Sequence, residues 1–129
     1  MIFALLLMAA AAPQTDAEVE KRYSAAFNTC LETGDAARGV TPAMAECIDA
    51  ELDRQDARLN QAYKMVMGRL PQKRKTALRA SQRKWIRTRD ATCQRAYDEA
   101  GGGTASGLEK LGCLTSETIK RTMFLERYR

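Results

Sequence analysis

The chain of 129 residues contains no histidine. That removes the side chain most often used as a general acid or base near neutral pH, and the commonest metal ligand. No serine has an imidazole to activate it. None of the four cysteines stands in a C-x-x-C pair, which argues against a structural zinc site. The one glycine-rich stretch, "GGGTASG" at 101–107, is not followed by a lysine-threonine pair and is no phosphate-binding loop. Adjacent carboxylates such as Asp98 and Glu99 do not converge on a site. No stretch alternates apolar and polar residues as a half-buried strand does. With these absences the chain reads as neither an enzyme nor a holder of any cofactor or metal.

A continuous apolar run occurs only at the N-terminus, "MIFALLLMAAAAPQTDA". Met1 to Met8 followed by small residues reads as a short secretory signal at 1–11, with cleavage expected after Ala11. The run is too short for a bilayer-spanning helix. Its positive leading region is missing, so the natural start is expected upstream. No cysteine lies at the cleavage position, which argues against lipid anchoring. Periplasmic or secreted localisation follows, and it bears on the cysteines. An even count in a small exported chain is the condition for disulfides.

The remainder, 17–129, reads as one helical domain. Apolar positions recur at helical spacing over Ala17–Glu32, Pro42 to about Met67, Gln72–Ala100, and Leu108 to about Arg127. Thr41-Pro42 is a plausible helix start, and Gly68 with Pro71 makes a short turn. Cys30 and Cys47 flank one connection and Cys93 and Cys113 another. Of the three connectivities, local pairing Cys30–Cys47 and Cys93–Cys113 fits helix adjacency best. Each closure would stabilise by about 3 kcal/mol. The fold class is therefore all-α, a small four-helix bundle stapled by two local disulfides.

Charge is unevenly distributed. From Asp16 to Asp56 there are ten acidic and four basic residues; from Ala57 to Arg129, six acidic and seventeen basic. "SQRKWIRTRDATC", Ser81 to Cys93, concentrates the basic residues around the one tryptophan, Trp85. On a helix Trp85 falls about 20° from Leu78 and about 80° from Cys93, which places it as a core anchor together with Tyr63 and Leu59. Arg83, Lys84, Arg87 and Arg95 lie outward, a solvated face or a surface for an anionic envelope polymer or lipopolysaccharide. Nucleic acid is disfavoured by the expected export and by the inward tryptophan. Gln82 and Arg89 sit within the inner face of their helix, as Glu51 and Gln55 do within theirs. A core-facing arginine needs a partner. A Glu51–Arg89 ion pair is expected, with Gln82 or Gln55 hydrogen-bonded nearby, as a register-fixing device.

The string Cys47-x-x-x-Glu51, "LNQAY" (Leu59 to Tyr63), Leu70 and "LRASQRKWIRTRDATC" (Leu78 to Cys93) resembles the LprI-type lysozyme-inhibitor domain, as do Cys113, "TIKR" (Thr118 to Arg121) and Leu125. The resemblance spans roughly Tyr23 to Leu125. It implies an exported, helical, disulfide-stapled bacterial domain that binds lysozyme or another envelope protein and protects the cell wall. In it, Leu59, Tyr63, Gln82, Trp85, Arg89 and the cysteines look like scaffold. Animal lysozymes are strongly basic, so an inhibitor would use the acidic half of this chain, around Glu46, Asp49, Asp53 and Asp56.

Overall fold

The structure, a computed structural model, describes residues 15–129. The expected signal segment at 1–11 lies outside the described residues. The order is α1 (Asp16–Glu20), α2 (Ala25–Leu31), α3 (Gly34–Ala37), α4 (Thr41–Arg69), α5 (Gln72–Glu99) and α6 (Thr104–Glu126), with no strand among the described residues. The fold is all-α, and both local disulfides are formed, Cys30–Cys47 and Cys93–Cys113.

The three long helices follow the expected spans closely. Val40 takes the N-cap position of α4 and Pro42 falls in its first turn, where a missing N–H costs nothing. The helix passes through Gly68 and ends before Pro71, which in turn caps α5. Gly101, Gly102 and Gly103 all have positive φ and turn the chain sharply from α5 into α6.

The first helix differs. A single helix over Ala17–Glu32 was expected, but Ser24 interrupts it as the N-cap of α2, its hydroxyl accepting from the Phe27 N–H at 3.0 Å. Thr15 opens α1 in a reciprocal capping box with Glu18. The segment 33–40, expected as loop, holds the short α3 with Ala36 buried. The break has a physical cause. Val19 must reach Ile119 and Met123 on α6, whereas Cys30 must reach Cys47 on α4, and one straight helix does not serve both.

The larger departure is in how the long helices pack. α6 contacts both α4 and α5 extensively, while α4 and α5 hardly approach each other beyond their connecting turn. α6 is therefore a wedge between them. Its buried face carries Thr115, Thr118 and Thr122 beside Ile119, Met123 and Leu125. The three threonine hydroxyls donate to the carbonyls of Leu111, Leu114 and Thr118, so each is satisfied within the helix. Short, self-satisfied side chains let α6 sit deep. Below the wedge, Leu59, Val66, Leu70, Leu78 and Leu125 close the main core at the α4–α5 turn. Burying a leucine there contributes about 2 kcal/mol.

Candidate binding cleft

α4 has two flanks beside α6, and the chain finishes them differently. One is covered by the N-terminal arm, residues 15–24. The Glu51 carboxylate is fully buried and accepts from both the backbone N–H and the hydroxyl of Ser24, at 2.9 and 2.7 Å. Arg54 approaches it at 3.8 Å. Gln55, also buried, donates through Nε2 to the Arg22 carbonyl, which Arg58 reaches as well. Arg22 and Glu126 form a two-pronged ion pair at 3.0 and 2.8 Å, and Arg127 meets Glu18 at 3.3 Å. This side is a clasp.

The expected Glu51–Arg89 pair is therefore not made. Glu51 faces the arm, and Arg89 faces the opposite flank, where its guanidinium lies 3.1 Å from Asp90 and 3.8 Å from Asp56. Arg89 also donates to the Thr118 hydroxyl at 3.3 Å, touching all three long helices. Gln82 likewise serves neither Glu51 nor Arg89: its Oε1 accepts from Arg121 Nε at 2.8 Å. The expectation assumed that α4 and α5 lie against each other. α6 stands between them, and the arm supplies the donors that Glu51 needs.

Because α4 and α5 are held apart, their facing surfaces form an open cleft of about 340 Å³. Asp56, Leu59, Asn60 and Tyr63 line one wall; Arg79, Gln82, Arg83, Trp85, Ile86 and Arg89 line the other. Leu59 is buried as the inner edge of the wall. Tyr63 and Trp85 pack against the core but are only partly buried, so the tryptophan is a cleft wall as much as an anchor. Ile86 is 41% exposed at the rim. The guanidiniums of Arg89 and Arg121 lie over the Trp85 ring, 5.1 and 5.7 Å from its centre. Stacking of this kind contributes about 0.5–1 kcal/mol at partly exposed sites.

Charge in the cleft is lopsided: three arginines face one carboxylate. Burial pushes the Asp56 carboxyl above its ordinary value, with Arg89 opposing the shift and Asp53 adding to it. Arg79 and Arg83 are exposed and make no ion pair among the described residues. Arg87 and Arg95 are exposed too, outside the cleft. Outside it on α4, Glu46, Asp49 and Asp53 are exposed, and with Asp56 they lie within an arc of about 80°. Only Asp56 of the four has a cation nearby among the described residues. The result is an acidic ridge ending at a basic cleft.

Other depressions lie elsewhere on the described residues. One of about 180 Å³ lies on the arm side, between Arg58, Met65 and Glu126. A wider apolar one lies at the disulfide end, between Met44, Ile48 and Leu108. Among the described residues no cluster of three or more acidic or cysteine side chains is placed to hold a metal ion. No helix of the described residues is long and apolar enough to cross a membrane.

The described residues thus make an all-helical, disulfide-stapled fold with an open cleft between two of its long helices. Residues 32–125 match the family described as Lysozyme inhibitor LprI, and the chain belongs to that family. It is also 33% identical over 93 residues to an uncharacterized protein of Rhizobium meliloti (strain 1021), covering 62% of this chain and 67% of the relative. No solved structure matches it. Two parts of the string that carries the sequence resemblance, Leu59 to Tyr63 and Leu78 to Cys93, contribute most of the residues that line the cleft. Sequence reasoning took Leu59, Tyr63, Gln82, Trp85 and Arg89 among them for scaffold. It did single out Gln82 and Arg89 as polar residues on an inner face, but it read them as a register-fixing device and gave Asn60 no role.

Proposed function

We propose that this chain is an exported protein-binding domain whose partner is a lysozyme, held so that the enzyme no longer reaches the cell wall. The observation that carries the reading is the acidic ridge of Glu46, Asp49 and Asp53 on α4, three exposed carboxylates without a cation partner among the described residues. Such a ridge is complementary to a strongly basic protein and speeds encounter with it. Family membership supports the same partner. Two disulfides and no free cysteine among the described residues suit an oxidising compartment outside the cytoplasm.

The test is lysozyme turnover on bacterial cell walls with the oxidised protein in molar excess. Inhibition is expected, and it should be lost when Glu46, Asp49, Asp53 and Asp56 are all changed to lysine. Turnover unaffected at large excess sinks the proposal.

A second reading has its own observation, the exposed Arg83, Arg87 and Arg95 on α5. In it the basic face binds an anionic envelope polymer or lipopolysaccharide as an accessory protein. Binding of that kind weakens steeply with salt and depends on all three arginines, whereas a docked protein interface is less salt-sensitive.

A further inference from the structure

The acidic ridge leaves the cleft itself unexplained, because the cleft carries the opposite charge. Arg79 and Arg83 stand one turn apart on α5, about 6 Å along its axis. Both are exposed and lack ion-pair partners among the described residues. Arg89 lies further along the same wall, packed over the Trp85 ring. The Nε and Nη1 of Arg89 already meet Asp90 and Thr118, so Arg79 and Arg83 are the guanidiniums left to take a ligand's carboxylates. Across the cleft, Tyr63 and Asn60 offer an aromatic surface and an amide, and Ile86 adds an exposed apolar rim.

Size and surface narrow the ligand. A volume of about 340 Å³ admits two or three side chains rather than a folded element. A sugar would stack on the tryptophan, but the Arg89 and Arg121 guanidiniums already lie over that ring. A polyanionic polymer would need a continuous outer track, whereas these arginines are paired with an apolar wall in a recess. We propose that the α4–α5 cleft binds an acidic peptide segment, its carboxylates on Arg79 and Arg83 and an adjacent apolar side chain between Tyr63 and Ile86. The site meets the ridge only at Asp56, and it stands whether or not lysozyme is inhibited.

Trp85 is the only tryptophan in the chain and forms part of the wall, so its emission reports on the cleft directly. The probe is a capped pentapeptide with glutamate at both ends and phenylalanine at its centre, titrated into the oxidised full chain. A saturable change in emission is expected. Replacing both glutamates with glutamine should abolish it. Arg79→Gln with Arg83→Gln should weaken binding by ~10-fold or more, the scale of a lost charge-assisted contact. Both positions are exposed, so folding should persist, which far-ultraviolet circular dichroism checks. Lys21→Gln with Arg95→Gln, both exposed and outside the cleft, should leave the affinity within roughly twofold, since the field of distant exposed charges is screened. Three results overturn the proposal: no saturable change, equal weakening by the two double variants, or tighter binding of a sulfated polysaccharide than of the peptide at moderate salt.

Discussion

The two flanks of α4 begin from the same kind of sequence and end in opposite states. Glu51 and Gln55 on one flank, and Asp56 and Asn60 on the other, are polar residues among leucines and a tyrosine. The arm covers the first pair and supplies Ser24 and the Arg22 carbonyl as partners. Nothing among the described residues covers the second, and Arg89 reaches Asp56 only at 3.8 Å. A polar side chain within a helix stripe thus has two resolutions, a built partner or an open face. The first makes a clasp and the second a cleft. A single helix thus carries one covered, partnered flank and one open flank.

The contrast can be broken from either side. The largest effect should come from the core that serves both flanks. Leu125 is fully buried where the wedge helix α6 meets the main core, and Leu125→Ala should cost about 2–5 kcal/mol in urea unfolding. Next comes the clasp: Glu51→Ala leaves the Ser24 N–H and hydroxyl without their acceptor. A loss of about 1–3 kcal/mol is expected, together with faster proteolytic cleavage within residues 15–24.

Changes in the cleft should be smaller and of another kind. Arg89→Gln removes the cation that opposes the burial of Asp56, so the Asp56 carboxyl, followed by NMR through a pH titration, should titrate higher still. The sign for stability follows. A carboxyl whose folded value is raised contributes stability that is full below its unfolded value and lost as pH rises through the folded one. The variant should therefore be more sensitive to rising pH through the mildly acidic range. The smallest effect on folding belongs to Arg83→Gln, within about 0.5 kcal/mol because the side chain is exposed and unpaired. Weakened acidic-peptide binding without loss of stability would set the cleft apart from the clasp.

Much of this architecture was legible in advance, for identifiable reasons. Proline and glycine punctuate the long helices, and helical periodicity runs through their interiors. The cysteines flank short connections, so local pairing followed from adjacency. What was hidden depended on neighbours. A helical wheel places Trp85, Gln82 and Arg89 on one face, but it does not say how far away the next helix stands. Thr115, Thr118 and Thr122 conceal the most deeply inserted helix, because their polar character is cancelled by bonds within α6 that no pattern of hydrophobicity records. Ser24 reads as an ordinary helix residue until Glu51 is brought to it from 27 positions away.

The acidic ridge of α4 is the surface proposed to meet lysozyme, and one measurement addresses it most directly. The oxidised, isotopically labelled chain is titrated with unlabelled lysozyme, and amide shifts are followed by NMR. Shifts concentrated on α4 from Glu46 to Asp56, with the clasp at 15–24 undisturbed, are predicted. Shifts confined to the arm, or none at saturating lysozyme, would contradict it.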